Sequence, residues 1–181
     1  MALPREDLKS FQARVAERLR VAREQGVTAS WLAVSIQGLH CLFPLSQANE
    51  VLPLTTIIPV PYSKSWFLGA INARGRIYGV VDLADYLVQE ARQTVEASPN
   101  TNAVSEFSLV GLNTELNLNC VLMVNKVMGL RTLENFPESM QPAADAPDFF
   151  GTVYQDVTGT YWQELNLRNL SHSPGFLSIS V

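Results

Sequence analysis

Two pairs of residues in this sequence have side chains that could carry out chemistry. His40 is followed by Cys41, a base beside a nucleophile, and Asp82 is followed three residues later by Asp85, like paired carboxylates that transfer protons. Successive residues of a strand point to opposite faces, so His40 is not placed to activate Cys41. Acids at the start of a helix cap its backbone and interact favourably with its dipole. Neither pair therefore predicts a catalytic site.

Motifs of known catalytic and ligand-binding sites are also missing. The sequence contains two histidines, His40 and His172, and neither has the spacing of a metal ligand. No phosphate-binding glycine loop, dinucleotide-binding fingerprint or nucleophile-elbow motif is present. We therefore expect no metal, no cofactor and no enzymatic activity. A hydrolase with an unrecognised site stays open as a further alternative.

The stretch from Trp66 to Leu87 predicts a β-hairpin that leads into a helix. Apolar runs on both sides of Arg74-Gly75 favour two strands, and glycine supplies the positive φ angle that a tight turn needs. Asp82 is placed to cap the helix that follows. One interpretation is an ordinary hairpin with an ordinary cap. The other is that Arg74, held at the tip of the turn, has a binding function.

Composition indicates which partners the 181-residue chain does not bind. The net charge is −4 without a run of five like charges, so neither nucleic acid nor a membrane surface is an expected partner. No apolar run reaches the roughly 18 residues of a membrane span, and the N-terminus lacks a signal-peptide pattern. Two cysteines far apart fit a reducing compartment. We expect a cytoplasmic protein, without direct membrane insertion, that works in contact with other proteins.

The hydrophobic pattern predicts one helix followed by β-structure. Residues 7–24 carry apolar side chains at spacings of three and four, and Gly26 is placed to end this helix. From Trp31 the period changes to two. A polar stretch at 93–105 reads as a linker or exposed loop. Besides the central hairpin, strands are predicted at 31–36, 39–43, 48–52, 107–112, 116–124, 149–155 and 160–164, with a short helix at 166–170 capped by Asn166.

The two β-regions look like copies of one another. Residues 41–54 align without gaps on residues 120–133, and a cysteine begins both segments. Gly75 and Gly159 are each followed seven residues later by a helix-capping residue. The repeat predicts two small β-barrels, at 31–92 and 106–170, packed side by side with a binding groove between them. The domains are thus an N-terminal helix in 1–30 and a domain in 31–181, which includes a C-terminal tail.

These residues resemble the CheW family of chemotaxis coupling proteins. The motif Phe67-x-Gly-x-Ile-Asn-x-Arg-Gly, the Val-Val-Asp-Leu that follows it and the Val-Asn-Lys-Val-Met-Gly-Leu at 124–130 occur in the family's order. The resemblance covers residues 31–170. The N-terminal helix and the C-terminal tail look like the PilI branch of the family, which serves the chemosensory system of type IV pili and twitching motility.

The resemblance implies an all-β fold of two five-stranded, SH3-like barrels, each with a short helix after its last hairpin. It implies a scaffold that bridges the regulatory domain of a CheA-like histidine kinase and the cytoplasmic tip of a methyl-accepting chemoreceptor. We expect Glu50 to pair with Arg74 across the groove. The family's receptor-binding positions fall on Glu50, Gly69, Arg74 and Gly75, and apolar positions near its kinase contact fall on Val51 and Leu52.

Another class of protein stays open, a stand-alone β-barrel that binds a small molecule or a peptide. Such a protein would have one enclosed pocket with convergent polar groups. A coupling protein would instead expose apolar strand edges to its partners. The shape of the cavities and the exposure of the strands distinguish the two classes.

Overall fold

The computed structural model describes residues 8–25, 30–89 and 107–181, and these form a mostly β protein with one N-terminal helix. The all-β class predicted from the sequence is confirmed. The predicted helix end at Gly26 and the polar stretch at 93–105 lie outside the described residues. The helices are α1 (Leu8–Gln25), α2 (Leu83–Gln89), α3 (Leu167–His172) and α4 (Pro174–Leu177). The strands are β1 (Trp31–Ile36), β2 (Leu39–Pro44), β3 (Ala48–Pro53), β4 (Phe67–Ala73), β5 (Arg76–Asp82), β6 (Ser108–Leu112), β7 (Cys120–Val124), β8 (Lys126–Arg131), β9 (Glu138–Met140), β10 (Phe150–Gln155) and β11 (Tyr161–Leu165).

Two hairpins turn through two-residue loops that contain glycine. In the β1–β2 loop the φ angles are 45° at Gln37 and 89° at Gly38. In the β4–β5 loop they are 52° at Arg74 and 78° at Gly75. Two successive positive φ angles are typical of the type I′ turn, whose twist matches that of the flanking strands. The predicted role of Gly75 is confirmed, and the turn holds Arg74 at its tip.

The strand predicted at 116–124 is wrong in its first half. Thr114–Leu116 forms a 3₁₀ turn, and the side chain of Asn113 caps it by accepting a backbone hydrogen bond of 3.0 Å. Asn117 then adopts a left-handed conformation with a φ angle of 54°. Because asparagine side chains satisfy local backbone groups, they compete with a strand ladder. Strand β7 therefore begins only at Cys120.

The strands form two mixed sheets that each combine both halves of the chain. One has the order β8-β1-β2-β11-β10-β9 and the other has the order β3-β6-β7-β5-β4. Neighbouring strands are antiparallel except for the parallel pairs β2–β11 and β5–β7. The predicted subdomain boundaries, 31–92 and 106–170, therefore do not follow the sheets. A parallel neighbour cannot come from the same hairpin, and here each half takes its parallel neighbour from the other half.

The two parallel pairs join residues that are equivalent in the sequence repeat. Gly79 of β5 pairs with Cys120, and Gln163 of β11 pairs with Cys41. The two cysteines matched in the sequence therefore each begin a parallel pairing with the last hairpin of the other half. In both sheets, the first hairpin of one half is joined by the third strand and the final hairpin of the other half.

The correspondence extends to the remaining strands. Replacing β1, β2, β8, β10 and β11 by β6, β7, β3, β4 and β5 converts one strand order into the other. The isolated bridge between Ile58 and Ala70 then takes the position that β9 has in the six-stranded sheet. The SH3-like form of each sheet stays a prediction.

Apolar side chains are buried on both faces of the sheets. The largest cluster lies between them and includes Leu32 and Phe43 from one sheet and Val110 and Leu122 from the other. A smaller apolar cluster lies on the other face of each sheet. The cluster on the five-stranded sheet consists of Leu52, Ile71, Tyr78, Val80, Leu109, Val121 and Met123. The cluster on the six-stranded sheet consists of Trp31, Ala33, Leu42, Phe136 and Trp162.

Helix α1 packs against β3 and β8, which belong to different sheets. Its Val15 is 4% exposed and joins the large core. The buried side chain of Gln12 donates a hydrogen bond of 2.6 Å from Nε2 to the hydroxyl of Ser108 on β6. An apolar contact and a buried polar contact thus fix the helix at the junction of the two sheets.

The short helices predicted after the last hairpins are present, and both predicted caps are confirmed. The carboxylate of Asp82 accepts the backbone N–H of Asp85 at 3.2 Å, at the start of α2. The side chain of Asn166 accepts the backbone N–H of Asn169 at 3.0 Å, at the start of α3. Among the helices that the structure describes, none has the length and apolar character to cross a membrane.

Candidate functional site

Arg74 and Glu50 form an ion pair at one end of the five-stranded sheet. Nη1 of Arg74 lies 3.1 Å from Oε2 of Glu50. The Arg74 side chain is 80% exposed, whereas that of Glu50 is 20% exposed. The expected pairing of these two residues is confirmed, but both belong to the five-stranded sheet, so the pair does not cross a groove between the two sheets. The partly buried acid thus accepts from one terminal nitrogen of the guanidinium, and the rest of this group is exposed to solvent.

Glu50 is itself positioned by β5 and β6. The hydroxyl of Tyr78 on β5 donates a hydrogen bond of 3.2 Å to Oε1 of Glu50. A Cβ atom on Gly111 of β6 would lie 3.1 Å from Cγ of Glu50, so the absence of a side chain there lets Glu50 extend over the sheet. The sequence reasoning missed Tyr78. The alternation along β5, where Tyr78 and Val80 are buried, is the signal that places it on this face.

Helix α1 forms the opposite side of an open cleft of about 460 Å³. The cleft is lined by Ala13, Ala16, Glu17 and Arg20 of α1, by Asn49, Glu50 and Val51 of β3, and by Arg74. Glu17 and Arg20 form a second exposed ion pair, with 2.7 Å between Oε1 and Nη2. The hydrogen bond from Arg20 holds the pKa of Glu17 below its ordinary value. The sequence predicted the helix but not this contact, because an apolar stripe does not specify which strands it covers.

Gly69, predicted as a receptor-binding position, is buried beneath a neighbouring segment. Its φ angle is 134°, and a Cβ atom at this position would lie 2.1 Å from the carbonyl oxygen of Ile58. The backbones of Ile58 and Ala70 exchange two hydrogen bonds of 2.8 Å beside it. The structure therefore gives Gly69 a packing role, which is to let two backbones approach closely. A role in receptor binding stays a prediction.

Val51 and Leu52 do not form the exposed apolar strand edge that was expected for the kinase contact. Each is 6% exposed. They point to opposite faces of β3, Val51 into the core between the sheets and Leu52 into the small cluster of the five-stranded sheet. The expectation of an exposed edge is corrected, because α1 packs against this strand and both of its faces are covered. Val51 still contributes to the wall of the 460 Å³ cleft.

The side chains that could carry out chemistry have structural roles. Cys41 is fully buried, and burial raises the pKa of its thiol. Burial likewise raises the pKa of Cys120 to about 12. The ring of His40 lies 4.8 Å from that of Trp162. A thiol with a raised pKa is a weak nucleophile at neutral pH, because the thiolate is the reactive form.

The two aspartates are engaged at the start of α2. Burial raises the pKa of Asp82, which caps the helix. Asp85 accepts hydrogen bonds of 2.6 Å from Ser65 and 2.7 Å from Gln89. Within the described ranges, no three His, Cys, Asp or Glu side chains come together to hold a metal ion.

A second open cleft, of about 300 Å³, lies beside the C-terminal tail. Its lining is mostly apolar and includes Phe67, Val81, Phe176 and Leu177. The tail is held to the chain before β4, since the backbone N–H of Lys64 donates to the carbonyl of Ile179 at 2.8 Å. This cleft contains none of the predicted site residues.

Comparison with known proteins defines the class to which this fold and site belong. A family model described as the CheW-like domain matches residues 30–174, which is most of the chain. This protein belongs to the CheW-like family. The resemblance found in the sequence is therefore confirmed.

Protein PilI and a CheW scaffolding protein are among the proteins to which this chain is similar. Protein PilI of Pseudomonas aeruginosa is 25% identical over 164 residues, which cover 87% of this chain and 85% of the relative. The crystal structure of the scaffolding protein TtCheW from Thermoanaerobacter tengcongensis superposes with a TM-score of 0.58 at 15% identity. That superposition covers 77% of this chain and 89% of the other, and it shows a shared fold.

Proposed function

We propose that this protein is a non-enzymatic cytoplasmic adaptor that couples a methyl-accepting chemoreceptor to a CheA-like histidine kinase. The signalling would control type IV pili and twitching motility. Membership of the CheW-like family supports a scaffold role, and the similarity to PilI supports the pilus system. The observation that carries the receptor contact is the exposed Arg74 side chain held by Glu50.

Arg74 suits the recognition of acidic or amide groups on a receptor. Glu50 accepts from one nitrogen of its guanidinium, which has five N–H donors, and the side chain is 80% exposed. The type I′ turn and the ion pair restrict where the guanidinium can lie, so less side-chain freedom is lost when a partner binds. A bidentate bond from such an arginine to a carboxylate is both strong and directional. Gly75 contributes by allowing the turn.

We place the proposed kinase contact on β3, where Val51 and Leu52 would have different roles. Val51 lies at the wall of the cleft and is available to a partner only through a small exposed area. Leu52 holds β3 in place from the opposite face. Loss of kinase binding on substitution of Leu52 would therefore report a change in the strand rather than a lost contact.

The absence of catalysis is part of the proposal. The nucleophiles Cys41 and Cys120 are buried with raised pKa values, and Asp82 and Asp85 bind backbone and side-chain donors at the start of α2. Both clefts are open, and the charged groups that line the larger one are paired with each other. This arrangement favours a protein-binding surface over the enclosed pocket of a ligand-binding barrel.

The test uses the purified full chain with two partners from the same organism. One partner is a helical hairpin that spans the cytoplasmic tip of a chemoreceptor, and the other is the regulatory domain of the CheA-like kinase. We expect calorimetric titration to show that each binds alone and that all three co-elute in size-exclusion chromatography. Arg74→Ala should weaken receptor binding alone, and Arg76→Ala, at the other side of the same turn, serves as the matched control. A folded protein that binds neither partner would refute the proposal.

A further inference from the structure

The cleft between α1 and the β4–β5 turn has two facing walls, and only one of them was expected from the sequence. Arg74 and Glu50 form the expected wall, and Ala13, Ala16, Glu17 and Arg20 of α1 form the other. This second wall is fixed in place, because Val15 is 4% exposed in the core and Gln12 donates a buried hydrogen bond to Ser108. A helix anchored in this way presents a defined surface to whatever enters the cleft.

The side chains on the α1 wall leave room for a partner and offer it charge. Ala13 and Ala16 have the smallest side chains that a helix carries without loss of propensity, and both line the cleft. Beside them, Arg20 is 58% exposed and Glu17 is 59% exposed in their mutual ion pair. An exposed pair of this kind is weak, because solvent screens it, so Arg20 can exchange its partner at little cost.

The charges on the two walls are arranged alike. Each wall carries an exposed arginine that is paired with a glutamate, Arg20 with Glu17 and Arg74 with Glu50. The matching chemistry is a partner whose acidic side chains lie between two arginines. On an α-helix, residues three or four positions apart lie on one face, so a helix seated over the mouth of the open cleft can direct two carboxylates into it, one beside each arginine.

We propose that α1 is the second wall of the receptor-binding cleft, and that the cleft takes one polar α-helix whose acidic side chains pair with Arg20 and Arg74. This rests on the proposed coupling function and adds the N-terminal helix to the recognition surface. Ala13 and Ala16 set the width of the cleft. Glu17 and Glu50 hold the arginines in position and favour basic residues beside the acids of the partner.

The deciding experiment is a titration of the full chain with the helical hairpin of the receptor tip, at low and high salt. Ala13→Glu places a long acidic side chain in the cleft at a position that is exposed, and it keeps the helix propensity. We expect it to weaken receptor binding by about tenfold or more, because it fills space in the cleft and repels the acids of the partner. Arg20→Glu should weaken binding and reduce its salt dependence. Val157→Glu, at an 83% exposed residue of the β10–β11 turn, is the control and should bind like the wild type.

Each alternative outcome has a distinct meaning. If Arg74→Ala weakens receptor binding while Ala13→Glu and Arg20→Glu do not, the role of α1 is refuted and the coupling function stands. If the wild-type protein does not bind the receptor hairpin, the coupling function itself fails. If Ala13→Glu weakens binding of the kinase domain, or changes self-association in sedimentation, and leaves receptor binding intact, the cleft has another occupant and the inference is overturned. Unchanged thermal unfolding of each variant ensures that these results report binding.

Discussion

Glu50 Oε2 and Arg74 Nη1 lie 3.1 Å apart although their elements are separated in the sheet. Glu50 belongs to β3, at one edge of the five-stranded sheet, and Arg74 lies in the turn that joins β5 to β4 at the other edge. Gly111 leaves space above β6, and Tyr78 extends from β5 to the same carboxylate. The ion pair thus spans the open end of the sheet and brings the β4–β5 turn into the cleft that α1 closes on its other side.

Substitution of Arg74 should weaken receptor binding and have little effect on the stability of the fold. The side chain is 80% exposed, so the loss of its ion pair in Arg74→Ala should change the free energy of unfolding by no more than about 1 kcal/mol. We expect Arg74→Glu to weaken receptor binding further, since it places a second acid beside Glu50. Chemical denaturation and calorimetric titration measure the two effects. Equal affinities for the wild type and both variants would contradict the role of Arg74.

Leu52 and Leu54 provide a matched pair of leucines with which the burial of Leu52 can be tested. Leu52 is 6% exposed and Leu54 is 44% exposed. We expect Leu52→Ala to lower the free energy of unfolding by about 2–5 kcal/mol, because it leaves a cavity in the small cluster. Leu54→Ala should have a much smaller effect. A urea titration of both variants measures the difference, and similar midpoints would show that Leu52 is not part of a packed core.

The two glycines of the predicted receptor site should respond differently to alanine. At Gly75 the φ angle is 78° and no atom lies within 4 Å of the added Cβ, so the cost is the left-handed conformation alone, about 1–2 kcal/mol. At Gly69 the added Cβ would also meet the carbonyl oxygen of Ile58 at 2.1 Å. We therefore expect Gly69→Ala to lower the melting temperature more than Gly75→Ala does. The reverse order in a thermal scan would show that Gly69 is not a packing position.

The contact between Gln12 and Ser108 should stabilise the docking of α1. Gln12→Ala removes a buried donor and leaves the Ser108 hydroxyl without this partner, which should cost about 1–3 kcal/mol. Ser108→Ala should cost a similar amount, and the double variant should cost less than the sum. Denaturant unfolding of the four proteins gives the coupling free energy. Additive effects would indicate that the bond contributes nothing as a pair.

The cysteines should be unreactive in the folded protein. Burial raises the pKa of both thiols, so the thiolate fraction at pH 8 falls below that of an ordinary cysteine. We expect neither Cys41 nor Cys120 to react with a thiol reagent such as DTNB until the protein is unfolded. Cys120 lines the 300 Å³ cleft and should react before Cys41 as denaturant is added. Rapid labelling of either thiol in native buffer would contradict their burial.

Local sequence signals predicted local structure well. The turn at Arg74-Gly75 and the caps at Asp82 and Asn166 each depend on interactions within a few residues, which single residue types reveal. The repeat of Cys41 at Cys120 was also visible, because equivalent strands need equivalent patterns. The ion pair of Glu50 with Arg74 was expected from the family resemblance rather than from spacing.

These local signals did not predict how elements that are distant in the sequence pack together. Alternation along β3 places Val51 and Leu52 on opposite faces, but it does not reveal that both faces are buried. The stripe of α1 predicted an apolar face without indicating β3 and β8 as its neighbours. The third strand and final hairpin of each half join the first hairpin of the other half, and this leaves the pattern within each half unchanged, so the sequence did not show which half supplies each strand of a sheet.

The exchanged hairpins have a consequence for how such a chain could have arisen. To reproduce the sheets seen here, a single half would give its third strand and last hairpin to another copy and receive the same strands in return. Its stability would then depend on protein concentration. Joining two copies end to end turns that encounter into an intramolecular one, at an effective concentration of the order of millimolar. The fusion also frees the two copies to diverge, so that only one of them needs to keep the Arg-Gly turn.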